Sequence, residues 1–207
     1  MKVKILTSYP KQSFEVNNIY FSSDLHLGHQ AIVDYGREFD DVETMNNHII
    51  TEINSKVGKD DLLVLLGDTM MGEKNYAEFL DSINCNNVIM LVGNHCNRGK
   101  LNKIVEDHQF PKLKYIGDYL ELVVQGQIIC CSHYPFFHWN YQIDGSFMLH
   151  GHLHGDSSEI LDLIHQYKSM DVGIDSYYNL FGKYSVFSLE EVRALLYDRK
   201  VIDRHSN

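Results

Sequence analysis

A chain of 207 residues with 44% hydrophobic and 22% charged side chains is long enough for one sizeable core and too apolar for a disordered segment. Its 18 basic residues against 28 acidic ones give a formal charge of -10, which argues against a nucleic-acid patch or adhesion to an anionic membrane. No run reaches the length of a membrane span, and the apolar part of Met1-Lys2-Val3-Lys4-Ile5-Leu6 is too short for a signal peptide, so the expected location is the cytoplasm.

Residues 1 to 18 read as a short strand or hairpin with a turn near Pro10-Lys11-Gln12-Ser13. Ile19 to Ser22 reads as the first central strand, followed by a loop from Asp24 to Gly28 and a short helix from Gln30 to about Tyr35. Val42, Met45, Ile49, Ile50, Ile53 and Val57 fall on one stripe of an amphipathic helix. Asp40 or Asp41 caps its start and Gly58 suits its end. The strand at 62 to 66 is apolar on both faces, as a sheet covered by helices requires. A helix at about 74 to 83, a strand at 88 to 92 and a helix at about 99 to 108 follow, with Leu101, Ile104 and Val105 on the last. This alternation is the pattern of a parallel sheet.

The later chain changes character. Residues 119 to 124 and 127 to 132 flank Gly126 like a hairpin, and short strands are expected at 146 to 150 and 170 to 174. The clear late helix starts at Ser188, where Ser188-Leu189-Glu190-Glu191 has capping-box spacing. The expected whole is one α/β domain over 1–207, a mixed sheet or two-sheet sandwich with helices outside. Cys85, Cys96, Cys130 and Cys131 show no zinc-finger spacing and read as reduced, mostly buried thiols.

Five apolar runs end in Asp, Asn or His. Tyr20 to Ser23 leads into Asp24-Leu25-His26, and Leu62 to Leu66 into Gly67-Asp68. Val88 to Val92 leads into Gly93-Asn94-His95, Ile128 to Ser132 into His133, and Phe147 to Leu149 into His150-Gly151-His152-Leu153-His154. Packing does not ask for such endings, whereas ligands gathered from loops at one sheet edge do. Residues two apart on an extended chain point the same way, so Asp24 with His26, and His152 with His154, suit one centre. Oxygen and imidazole donors without thiolate suit Mn, Fe, Zn, Ni or Co, and there are more donors than one four-coordinate ion can use.

These five motifs, in this order and over residues 19 to about 180, resemble the calcineurin-like metallophosphoesterase superfamily. The opening Asp24-Leu25-His26-Leu27-Gly28-His29 and the later Asp171-Val172-Gly173-Ile174-Asp175 resemble its small bacterial or phage-type members. The resemblance implies a four-layer αββα sandwich of two mixed β-sheets flanked by helices. It implies two divalent ions, manganese first among the candidates. Asp24, His26 and His154 would hold one ion, Asn94, His133 and His152 the other, and Asp68 would bridge them. The implied reaction is hydrolysis of a phosphomonoester or phosphodiester, nucleotides among the substrates, by a metal-bridging hydroxide with no covalent intermediate. His95 is implied as general acid beside the substrate. Two carboxylates against two divalent ions leave a local formal surplus of about +2, which reverses the overall sign at the site. A chain of this size leaves no room for a cap, so the site is expected to be open.

One position departs from the family pattern: Cys96 follows Gly93-Asn94-His95 where an acidic residue is usual. Without that carboxylate the acid step is expected to be weakened or retuned. Asn94, His95, His29 and Arg37 are the candidate substrate contacts, with Arg98 a further candidate for the phosphate. His150 reads as structural or as orienting a ligand. Trp139, Phe136, Phe137 and Tyr141 read as packing, or as a wall that stacks a base. His48, His108, His165 and His205 carry no signal, and Tyr177 and Tyr178 read as packing or surface. The alternative is a non-catalytic metal-binding interaction module of the same fold.

Overall fold

Side-chain alternation along the strands sorts the residues into layers. In β3 (Ile19–Ser22), Ile19 and Phe21 point into one apolar cluster while Tyr20 points into another. In β4 (Leu62–Leu65), Leu62 and Val64 join the first cluster, Leu63 and Leu65 the second. β5 (Asn87–Leu91) repeats this with Ile89 and Leu91 against Val88 and Met90. A sheet apolar on both faces has to be covered on both, as the run at 62 to 66 requires.

The computed structural model describes residues 1–7, 12–71, 76–106, 110–156 and 159–202. Two mixed sheets stack face to face. The remaining strands are β1 (Lys2–Ile5), β2 (Gln12–Glu15), β6 (Leu113–Gly117), β7 (Tyr119–Val124), β8 (Gln127–Ser132), β9 (Phe147–His150), β10 (Ser169–Asp171) and β11 (Phe187–Ser188). One sheet has the order β11-β3-β4-β5-β6, with only β11 antiparallel to its neighbour. The other runs β10-β9-β8-β7-β1-β2, parallel across β8, β9 and β10 and antiparallel elsewhere. Val3, Ile5, Leu120, Leu122, Ile129, Cys131, Phe147 and Leu149 from this sheet meet the inner face of the first. Each such side chain contributes about 1.5–3 kcal/mol by leaving water.

Helices α1 (Gln30–Asp34), α2 (Val42–Lys56), α3 (Tyr76–Ser82) and α4 (Arg98–Glu106) belong to the connections of the five-stranded sheet. Met45, Ile49, Ile53, Phe79, Leu80 and Leu101 pack on its outer face. Asp41 caps α2, accepting from Thr44 N at 2.7 Å. Helix α5 (Glu159–His165) lies against β10. On the outer face of the six-stranded sheet, Trp139 packs with Cys130 and Met148. The four cysteines are free thiols, with Cys130 and Cys131 on opposite faces as their adjacency in a strand dictates. No helix among the described residues is long and apolar enough to cross a membrane.

Helix α7 (Leu189–Leu196) begins with the expected capping box: Ser188 Oγ accepts from Glu191 N, and Ser188 N donates to Glu191 Oε2 at 2.7 Å. Glu191 also receives Lys56 Nζ at 3.0 and 2.8 Å, and that ammonium donates to Tyr177 Oη and Val186 O as well. One cation thus ties the end of α2 to α7.

Several elements differ from expectation. The strand expected at 170 to 174 ends at Asp171, and helix α6 (Ile174–Phe181) begins where the strand was expected to finish. Its Ile174, Tyr177, Tyr178 and Phe181 have helical spacing, but their aromatic bulk does not advertise a helix. Strand β6 was not expected, because it is half-buried throughout and lacks alternation. Helix α5 is only seven residues long. Part of the turn expected near Pro10-Lys11, the start of the helix expected at 74 and the end of that expected at 108 lie outside the described residues.

Candidate metal centre

The two sheets are stitched together at one edge. Ser23 bridges Gly173, and Ile174 N donates to Ser23 O at 3.0 Å. Asp24 N donates to Gly67 O at 3.1 Å and Gly151 N to His133 O at 3.0 Å, so the loops after β3, β4, β8 and β9 are joined pairwise by backbone. At that edge the backbone is unusual. Of the seven non-glycine residues with positive φ among the described residues, five are Asp24, His26, Asp68, His152 and His154. Asp and His tolerate the left-handed region better than most residues, yet each such placement costs of order 1–3 kcal/mol that the surrounding fold must supply.

The motif glycines are required by close approach. A Cβ on Gly93 would lie 2.2 Å from Asp68 Oδ1. One on Gly151 would lie 1.9 Å from Ser23 Oγ and 2.5 Å from Asp24 Oδ2, and one on Gly67 2.5 Å from His133 Nδ1. The glycines make room for carboxylates and an imidazole rather than for a turn alone.

Two groups of donors converge. Donor atoms of Asp24, His26 and His154 lie within 4.8 Å of one another, and so do those of Asp24, Asp68 and His133. His26 Nε2 and His154 Nε2 are each 3.9 Å from Asp24 Oδ1, and the two rings stack at 4.9 Å. His133 Nε2 lies 3.4 Å from Asp68 Oδ2 and 2.8 Å from Asn94 Oδ1, while its Nδ1 faces Leu66 O at 3.0 Å. The His152 ring stands edge-on to His133 at 5.1 Å, and its backbone N–H donates to Asp24 Oδ2 at 2.8 Å. The seven residues singled out as ligands therefore sit together. By distance, the residue common to both groups is Asp24, while Asp68 interacts electrostatically with His133 and with His26, one from each group.

The charge and hydrogen-bond balance of these groups suits a bound cation. Asp24 Oδ1 and both ring nitrogens of His26 are buried without a hydrogen-bond partner, which a buried polar group rarely tolerates. Burial, then the nearby Asp171, pushes Asp24 up to about 6. Burial, then His154, pushes His26 down to about 3, so this imidazole is neutral, the form that binds metal. Burial alone would lower His133, but Asp68 and then Asp24 hold it above its usual value. The two carboxylates that raise His133 make the space in front of its Nε2 favourable for positive charge. Oxygen and imidazole donors without thiolate suit a first-row divalent ion.

His95 is exposed at the rim. Its backbone N–H donates to Asp68 Oδ1 at 2.8 Å, and its ring is 5.5 Å from that of His26. The His29 ring lies 5.2 Å from His26 and 6.2 Å from His95, with Nδ1 buried and unpartnered. Cys96 turns inward: Sγ accepts from Gly93 N at 3.2 Å and lies 3.8 Å from Asp68 Oδ1, and burial pushes the thiol up.

The expectation that Arg37 touches phosphate is corrected. Arg37 is buried, and all five guanidinium hydrogens have partners. Nε and Nη2 donate to the two oxygens of Asp175 at 2.8 Å each, Nη2 also to Asp24 O at 2.5 Å, and Nη1 to Leu25 O at 2.7 Å and Met45 Sδ at 3.6 Å. Arg98 is exposed and pairs with Asp118. Trp139 is a packing residue, its Nε1 donating to Ser146 Oγ at 3.0 Å, whereas Phe137 and Tyr141 are exposed. His150 is wholly buried with Nε2 2.9 Å from Nε2 of His165, a residue that carried no signal in the sequence. Sequence reasoning also missed Tyr134, whose exposed ring lies 4.7 Å from His152. Its place directly after His133 was the available clue.

A family profile described as calcineurin-like phosphoesterase matches residues 18–202. The chain belongs to the calcineurin-like phosphoesterase family. Two relatives of this calcineurin-like phosphoesterase are similar over most of their length. Gene 66 protein of Mycobacterium phage L5 is 26% identical over 204 residues, covering 84% of this chain and 94% of that protein. Uncharacterized protein MJ1445 of Methanocaldococcus jannaschii is 27% identical over 192 residues, covering 90% and 96%. The solved structure of AQ665 from Aquifex aeolicus, described as a protein of unknown function, has a TM-score of 0.64 at 22% identity, covering 86% of this chain and 98% of that one. That likeness supports the calcineurin-like sandwich as the fold.

Proposed function

We propose that this chain is a dinuclear metal-dependent phosphoesterase that hydrolyses a phosphomonoester or phosphodiester by direct attack of water. The observation that carries the reading is the buried, unpartnered trio of Asp24 Oδ1, His26 Nδ1 and His26 Nε2 beside His154, in a site whose glycines clear space for side chains. Asp24, His26 and His154 would hold one ion and Asn94, His133 and His152 the other, with Asp68 as the shared carboxylate. A pair of divalent ions there, manganese foremost, would acidify water and neutralise charge on the phosphoryl oxygens.

The chain's own residues do the rest. Asp68 is anchored by the His95 backbone N–H, which leaves its second oxygen turned toward His133. His133 is oriented by Leu66 O, so its Nε2 faces the site. His95, exposed and with its ring 5.5 Å from that of His26, would give a proton to the departing ester oxygen. His29 and Asn94 line the same rim as substrate contacts. The open edge suits a small ester or an exposed phosphate on a larger molecule, a nucleotide among them.

The test is reconstitution. Chelated, metal-free protein is reloaded with Mn, Ni, Zn, Fe or Mg and assayed against nitrophenyl phosphate and bis-nitrophenyl phosphate, with His95→Ala as control. Metal-dependent hydrolysis that the control loses supports the reading. Stoichiometric metal uptake with no hydrolysis of either ester replaces it with a non-catalytic module.

A further inference from the structure

Arg37 lies just after α1, and Asp175 is the second residue of α6, 138 positions later. Asp175 Oδ2 accepts from His154 Nδ1 at 2.7 Å while both its oxygens accept from Arg37. The same guanidinium reaches the backbone carbonyls of Asp24 and Leu25. The first and last motif loops, one supplying Asp24 and the other His154, are thus fastened to one ion pair.

A buried ion pair is weak evidence for stability, because removing two charges from water costs about as much as their attraction returns. Replacing such a pair by apolar side chains is often neutral. A clue to what this one does is the identity of the atoms it touches. It touches the ring nitrogen of one candidate ligand and the main chain of another, on the side away from Asp24 Oδ1. A carboxylate on Nδ1 keeps the hydrogen there and leaves Nε2 bare toward the centre.

We propose that Asp175 and Arg37 are a positioning pair for the ion held by Asp24, His26 and His154. Asp175 fixes the tautomer and ring angle of His154. Arg37 holds Asp175 in place and pins the Asp24 carbonyl, so that both ligands keep their aim when no ion is bound. Neither residue touches substrate. This rests on the metal-centre reading given above.

The test measures metal affinity and tautomer rather than turnover. Mn2+ binding to wild type, Asp175→Asn and Asp175→Glu is followed by calorimetry, with circular dichroism to confirm folding. For Asp175→Asn, one of the two binding events weakens about 10- to 100-fold and the other holds, and Asp175→Glu recovers part of the loss. Arg37→Lys, which keeps the charge and loses the fork, weakens the same event to a smaller extent. In Zn2+-loaded wild type, long-range 1H–15N spectra show the His154 hydrogen on Nδ1. A folded Asp175→Asn protein that binds both ions with wild-type affinity overturns the proposal and leaves the metal centre standing. A hydrogen on His154 Nε2 overturns it even if every variant fails to fold. Wild-type protein that takes up no Mn2+ or Zn2+ removes the metal-centre reading and this proposal together.

Discussion

The backbone N–H of His152 donates to Asp24 Oδ2 at 2.8 Å, across 128 residues of chain. One oxygen of this fully buried carboxylate is therefore engaged by protein, and the other, Oδ1, faces two imidazoles with no partner. The fold holds a half-satisfied anion in place. A buried anion with one oxygen unpartnered costs stability, and a cation bound to that oxygen would offset the cost.

Asp24→Asn should therefore have opposite effects on stability and function. Metal uptake and ester hydrolysis should fall more than 100-fold, because one ligand set loses its anion. Metal-free stability should not fall in step. Asp24 is raised in the folded state by burial and then Asp171, so its favourable contribution is complete below about 3.8 and fades as pH rises through about 6. The melting temperature of metal-free wild type relative to Asp24→Asn should drop between those limits. A constant difference across that window would contradict the assignment.

His95→Ala should lower kcat/KM by roughly 10²–10⁴ with metal content intact, as loss of a general acid does. The exposed ring carries no core packing, and the backbone N–H that anchors Asp68 survives the change. Metal analysis by mass spectrometry alongside steady-state kinetics checks both halves. Loss of metal together with activity would make His95 a structural residue instead.

Gly151→Ala introduces a methyl 1.9 Å from Ser23 Oγ and 2.5 Å from Asp24 Oδ2. Overpacking of this kind costs about 1–3 kcal/mol, and here it also displaces a proposed ligand. Thermal melts should show the loss, and metal titration should show weaker uptake. The change Gly126→Ala, at a hairpin turn where a Cβ meets nothing within 4 Å but φ is +83°, should cost stability and leave metal uptake alone.

Lys56→Met should cost about 2 kcal/mol at neutral pH, by leaving Glu191 and Tyr177 short of a charged donor, and lower the melting temperature by roughly 4–8 °C. Burial alone would raise Glu191, but Lys56 and then Ser188 hold it below its usual value of 4.5. A depressed carboxyl contributes stability that is present above 4.5 and is lost as pH falls through its folded value. The gap between wild type and Glu191→Gln should accordingly narrow on acidification, as chemical denaturation at several pH values would record.

The gathering of Asp24, Asp68, Asn94, His133 and His152 at one sheet edge was legible in the sequence, because each follows an apolar strand run. The strands that feed it were legible for a related reason, since Leu62 to Leu66 has to be buried on both faces. Arg37 was misread because a lone arginine in a loop gives no sign of a carboxylate 138 residues away. Asp175 was visible inside the stretch 171 to 175, yet its partners His154 and Arg37 come together only once α6 forms. The contact between His150 and His165 joins β9 to α5, and no local pattern encodes such a pairing. Strand β6 escaped notice because an edge strand with both faces half-exposed need not alternate.

The left-handed backbone at Asp24, His26, Asp68, His152 and His154 imposes a second selection on those codons, independent of coordination. Valine, isoleucine or proline there would be rejected on conformational grounds, whereas glycine and asparagine pass that filter, glycine bringing no ligand atom and asparagine neither the negative charge nor the imidazole of the native residue. A saturation library sorted first for solubility and then for catalysis should split at these five sites into two non-overlapping classes, and the inert but well-folded class should be dominated by glycine and asparagine.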